Sequence, residues 1–137
     1  MFWEQRGIQL GNHRIDFSRG PVASHPSYVR HMDDLLTTYT SLRVVNLLGD
    51  KPGENALALG YRRHMAAMND PRVHWTSFDI HTMCKNNNYE NLRLLFTDIA
   101  RDMKAFGYFH KNMFENRVIA MQSGVFRTNC MDCLDRY

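Results

Sequence analysis

The chain has 137 residues, 44% of them apolar and 23% charged, with a formal net charge of +3. This is enough for one ordinary globular domain with a real core, and no apolar run approaches the roughly 18 residues that span a bilayer. The opening residues, Met1-Phe-Trp-Glu-Gln5, lack the basic-then-apolar pattern of a signal peptide. Three cysteines (Cys84, Cys130 and Cys133) in such a chain point to reduced thiols in the cytosol, not to a disulfide framework. The small positive charge suits an anionic membrane surface or an acidic ligand and establishes neither. Nothing in the composition calls for nucleic acid.

From Met1 to Asp16, short apolar pieces punctuated by Gly7 and Gly11 read as strands or strand-like loops. Ser24-His-Pro-Ser27 reads as a helix start, followed by Tyr28, Met32, Leu35 and Leu36 at helical spacing. Arg43 to Leu48 is a short apolar run stopped by Gly49-Asp-Lys-Pro-Gly53, a buried strand. Glu54 to Met68 is rich in alanine and leucine without internal proline, a second helix. Val73 to Phe78 has strand composition. Asn88 to Phe106 repeats Leu92, Leu95, Phe96, Ile99 and Met103, which predicts an amphipathic helix with a core face. Tyr108–Phe114 and Arg117–Met121 can pair as strands, and a last strand, Val125 to Thr128, leads to Cys130. Strands alternating with helices predict an α/β fold, a mixed sheet flanked by helices, with a site at the carboxyl end of a strand.

The closing segment carries the chemistry: Arg127-Thr-Asn-Cys130-Met-Asp-Cys-Leu-Asp135-Arg136, then Tyr137. A cysteine with an arginine six positions later is the spacing of a phosphate-binding loop around a thiolate. In such a loop, backbone N–H groups cradle phosphate oxygens and the guanidinium closes the ring. The bare spacing is weak, because chance supplies it readily; the strand-like approach and the two internal aspartates strengthen it. A free thiol ionises near pH ~8.5, so the nucleophile needs the positive charge of Arg136 and the inward N–H groups. Ionised Asp132 and Asp135 oppose that, unless one is protonated. A protonated aspartate is what the leaving alkoxide requires. Cys130 is therefore the candidate nucleophile, Arg136 the phosphate clamp, Asp135 the leading general acid and Asp132 its alternate. Arg127, Asn129, Met131, Cys133 and Leu134 are the candidate substrate-binding residues around them, with a plain surface role standing beside this one for Arg127. Cys133 also reads as a small buried hydrophobe, and Cys130-Met-Asp-Cys133 has the spacing of a redox pair. The seven histidines show no metal-ligand spacing and read as surface or hydrogen-bonded residues, so no metal or cofactor is expected.

At this segment the chain resembles the Sac-domain phosphoinositide phosphatases, most closely the synaptojanin-type Sac domain, whose signature is R-x-N-C-x-D-C-L-D-R-T-N. Arg127, Asn129, Cys130, Asp132, Cys133, Leu134, Asp135 and Arg136 match it. Phe2-Trp-Glu-Gln5, Gly11-Asn-His-Arg14, Val44-Val-Asn-Leu-Leu-Gly49 and Phe78-Asp-Ile-His81 extend the similarity along the chain. The loop is also similar to that of myotubularins, whose aspartates fall two and five positions after the cysteine, which favours Asp135 as the acid. Tyr137 stands where the family has threonine.

The resemblance implies metal-independent removal of a 4-, 3- or 5-phosphate monoester from the inositol ring of a phosphoinositide lipid. It places the protein at the cytosolic face of membranes, with protein partners unspecified. It also implies that residues 1–137 are part of a longer Sac catalytic domain, with an amino-terminal subdomain before Met1 and further catalytic structure after Arg136. The isolated chain is accordingly expected to be inactive or poorly folded. Two other readings stand beside this one: a catalytically silent phosphoinositide-binding module, and a protein tyrosine or dual-specificity phosphatase. The lack of a histidine before Cys130 and of a glycine-rich loop interior argues against the latter.

Overall fold

A computed structural model of the protein describes residues 1–6 and 14–131. Its centre is a three-stranded parallel sheet of β3 (Ser41–Asn46), β4 (Val73–Ser77) and β7 (Gly124–Asn129), with spatial order β4-β3-β7. Helix α2 (Pro52–Met68) connects β3 to β4. The chain then returns through a one-turn helix, α3 (Ile80–Met83), and through α4 (Leu92–Phe106) to place β7 on the other side of β3. Two antiparallel pairs flank this unit: β1 (Trp3–Arg6) with β2 (Arg14–Phe17), and β5 (His110–Asn112) with β6 (Arg117–Ala120). The fold is thus α/β, with parallel and antiparallel pairing segregated into separate sheets. Among the described residues, no helix is long and apolar enough to cross a membrane.

Alternation along the strands sorts the core into two layers. Leu42 and Val44 point to one face, where they pack with Tyr28, Met32 and Leu36 of α1 (Pro21–Thr38) and Tyr61 of α2. Val45 points to the other, against Phe78, Cys84 and the α4 residues Leu95 and Ile99. Each such side chain, fully buried, contributes on the order of 1.5–3 kcal/mol. On the α4 side the core also holds an ionic link: Arg43 is paired with Asp102 and donates to Thr76 Oγ1 at 3.2 Å, and Thr76 Oγ1 donates to Asp98 Oδ2 at 2.8 Å.

Several sequence expectations need adjusting. Helix α1 starts at Pro21, not at Ser24-His-Pro-Ser27. Pro21 occupies the first helical turn, where a missing N–H costs nothing, so Gly20 becomes the cap. Pro26 lies inside the helix, and Ser24 is buried instead of capping. Helix α2 likewise begins on a proline, Pro52, and Glu54 Oε2 reaches back to accept the Gly49 N–H at 2.8 Å. Helix α4 begins at Leu92 after two single 3₁₀ turns, and its core face is narrower than its periodicity suggests. Leu95, Ile99 and Phe106 are buried, whereas Phe96 and Met103 are exposed, because a three-stranded sheet covers only a narrow strip of the helix.

Candidate functional site

Strand β7 is held in register with β3 from Ser41↔Gly124 to Asn46↔Asn129. Beyond the last pair, the Leu47 N–H donates to the Asn129 carbonyl at 2.9 Å, so the pairing persists to the point where Cys130 emerges. Helix α2 leaves β3 on one face, while α4 reaches β7 across the other. The crevice outside the carboxyl ends of β3 and β7 is therefore where an open parallel sheet binds its ligands. A cavity of about 390 Å³ opens there, within the range of small-molecule sites. Its lining includes Tyr28 and His31 from α1, Tyr61 from α2, and Arg127, Thr128, Asn129 and Cys130 from β7 and its exit.

Three of the expected site residues meet in this cavity. Cys130 is a half-buried thiol on its wall. Arg127 and Asn129, two apart on β7, project to the same face, and one terminal N–H of Arg127 donates to Asn129 Oδ1. Arg127 Nε donates to His31 Nε2 at 3.1 Å, and its guanidinium carbon lies 4.8 Å from the centre of the Tyr61 ring, a cation–π contact. Met131, half-buried, follows Cys130 at a bend and does not line the cavity. Asp132, Cys133, Leu134, Asp135 and Arg136 lie outside the described residues.

The electrostatics of the cavity are cationic. Among the described residues no carboxylate lines it. Burial and the neighbouring Arg127 charge both hold the His31 imidazolium below its ordinary pKa, against the pull of Asp34. A neutral His31 whose Nε2 accepts from Arg127 carries its proton on Nδ1. The Tyr28 and Tyr61 phenols, in contact edge to face at 5.0 Å, are pushed up by burial. A thiolate and a phosphate both gain from such surroundings. No cluster of three His, Cys, Asp or Glu side chains suited to a metal ion occurs among the described residues.

Sequence reasoning missed His31 and Tyr61 as site residues and placed Tyr28 only in a core stripe. Tyr28 is indeed core, at 3% exposure, yet one edge of it reaches the cavity. The available signal was the pair Tyr28 and His31, one turn apart on α1, but nothing local ties that turn to a strand some 96 residues later.

Comparison with known proteins gives the family of the chain. The SacI homology domain family matches residues 1–85. The chain is 40% identical over 137 residues to Synaptojanin-1 of Mus musculus. It is 35% identical over 137 residues to Inositol-1,4,5-trisphosphate 5-phosphatase 1 of Schizosaccharomyces pombe. It is 33% identical over 140 residues to a polyphosphatidylinositol phosphatase of Saccharomyces cerevisiae. Each similarity covers 99% of this chain but only 9%, 12% and 13% of the respective relative, so the chain spans about a tenth of their length. With a family match over more than half its residues, the chain belongs to the SacI homology domain family.

Proposed function

We propose that the chain forms part of a Sac catalytic domain that removes a phosphate monoester, at the 4-, 3- or 5-position, from the inositol ring of a phosphoinositide. The observation that carries this reading is the delivery of Cys130 by β7 to a cavity at the carboxyl end of a parallel sheet, which Arg127 also lines and which no carboxylate lines among the described residues. Family membership and the phosphatase names of the relatives support the substrate class.

In this mechanism the Cys130 thiolate attacks phosphorus and the ring oxygen departs with the P–O bond electrons. Asp135, with Asp132 as alternate, protonates that oxygen, and Arg136 with the loop N–H groups holds the phosphoryl oxygens. Water then attacks the phosphocysteine, the same carboxylate takes its proton, and the thiolate leaves with inorganic phosphate. Arg127 and Asn129 bind the substrate beside the nucleophile, while Met131, Cys133 and Leu134 contribute loop backbone. The substrate is reached at the cytosolic face of a membrane.

The test is phosphate release from a panel of phosphoinositide vesicles by a complete Sac domain carrying this chain. Cys130→Ser should abolish release. Activity that survives it excludes the phosphocysteine route.

A further inference from the structure

Arg127 is the one cationic side chain of the cavity among the described residues, and three elements hold it. Its aliphatic stem belongs to β7, its guanidinium plane lies against Tyr61 of α2, and its Nε–H is fixed by His31 of α1. Asn129 takes one terminal N–H. The other terminal nitrogen, Nη2, has no hydrogen-bond partner among the described residues. Long cationic side chains lose much rotamer freedom when a ligand fixes them, so advance fixation is worth affinity. His31 is well suited to this task. It lies on the exposed side of α1, outside the apolar core, and its only side-chain hydrogen bond among the described residues is to Arg127.

Resting on the phosphatase reading above, we propose that His31 is a positioning residue that holds Arg127 toward an anionic oxygen of the substrate beside Cys130, and that it does so only while its imidazole is neutral. The acceptor at Nε2 is a lone pair. Protonation replaces it with an N–H facing another donor and puts two like charges about 3.1 Å apart. The groups that face His31 are few. Arg127 from β7 opposes its protonation, Asp34 one turn along α1 favours it, and Tyr61 of α2 meets Arg127 on the far side. Acidification should therefore turn Arg127 loose.

The experiment is a pH series of kcat and KM on a soluble inositol phosphate head group, in a complete Sac domain carrying this chain. His31→Leu should raise KM about tenfold at neutral pH, the scale of one charge-assisted contact, with a much smaller change in kcat. His31→Gln presents an amide oxygen that accepts from Nε and does not titrate. It should restore the wild-type KM at neutral pH and remove the part of the acid rise in KM that wild type shows. The substrate's own titration is common to all three proteins and cancels. A second pair keeps the test independent of α1: Tyr61→Phe should keep KM near wild type and Tyr61→Leu should raise it. An unchanged KM in His31→Leu overturns the proposal. So does an acid limb that persists in His31→Gln, or a loss confined to kcat. Cys130→Ser separates this from failure of the phosphatase reading: that reading fails if wild type releases no phosphate or Cys130→Ser still does, whereas the His31 variants test this proposal once Cys130-dependent release is seen.

Discussion

Gly124 opens β7, and replacing it with alanine should weaken the strand that carries the site. A Cβ there would lie 2.2 Å from Phe106 Cδ1 and 2.5 Å from both Cε1 and Cγ. Carbon atoms in contact prefer about 3.5–4.0 Å, so the ring would have to retreat by more than about 1 Å. The backbone offers little relief. The Phe106 carbonyl accepts the Ser123 N–H at 2.8 Å, and the Phe106 ring packs on Phe126 with centroids 5.0 Å apart. Either the core absorbs the methyl as overpacking, at about 1–3 kcal/mol, or the Phe106 ring leaves and forfeits burial worth roughly as much. Both routes give a loss near ~2 kcal/mol. Urea denaturation should show a lower midpoint at unchanged slope. Because the clash is with one ring, Gly124→Ala should cost less than half as much in a Phe106→Leu background, a coupling that a double-mutant cycle reads directly. A cost below about 0.5 kcal/mol, or the same cost in both backgrounds, would refute the steric reasoning.

The Arg43–Asp102 pair, 18% and 16% exposed, ties α4 to the sheet. Arg43→Ala should cost about 1–3 kcal/mol by thermal melting, and less when Asp102→Ala is already present, since much of the loss is the stranded carboxylate. Acid should also destabilise the fold through His64. It is buried, meets His25 Nδ1 to Nδ1 at 3.3 Å, and has its pKa lowered by burial and then by His25. The unfolded chain binds that proton near the ordinary histidine value of about 6.5 and the folded chain only at lower pH. The contribution is thus fully present above about 6.5 and declines as the pH falls toward the folded value. His64→Phe, which keeps an aromatic ring stacked on Tyr28, should flatten the fall in Tm between pH 7.5 and 5.5; an unchanged slope would show that His64 is not responsible.

The parts of the fold with strong local periodicity were legible in the sequence. Arg43 to Leu48, Val73 to Phe78 and Val125 to Thr128 fall on β3, β4 and β7, with ends shifted by a few residues. The pairing of the two pieces after Tyr108 was also legible. What could not be read was set by partners far along the chain. Phe96 fits the apolar stripe of α4 as well as Ile99 does, but the width of the sheet exposes it. His31 carries no local mark of its contact with Arg127, since that contact needs α1 and β7 to lie side by side. Of the candidate site, Cys130, Arg127 and Asn129 were legible because the closing motif is contiguous. The cradle around Arg127 comes from two helices and was not.

The same alternation explains why core and site depend on one register. Along β7, Val125 packs with the α1–α2 layer, Phe126 with the α4 layer, and Arg127 returns to the first face to meet Tyr61 and His31. A slip of one residue would send the guanidinium into the apolar layer with Val45 and Ile99, and bring Phe126 out against His31. Either exchange is costly, the first because an unpaired cation would be buried. The register is pinned at both ends: Ser123 O accepts from Thr40 N at 2.7 Å and from Thr40 Oγ1 at 2.8 Å, and Asn129 O accepts from Leu47 N at 2.9 Å. Cys130 comes just after the second pin, where strand alternation no longer dictates its direction, and it lines the same cavity as Arg127. The position of the thiol is therefore inherited from the core packing of a six-residue strand. Changes that leave every site residue intact but loosen either pin should disturb Cys130 and Arg127 together.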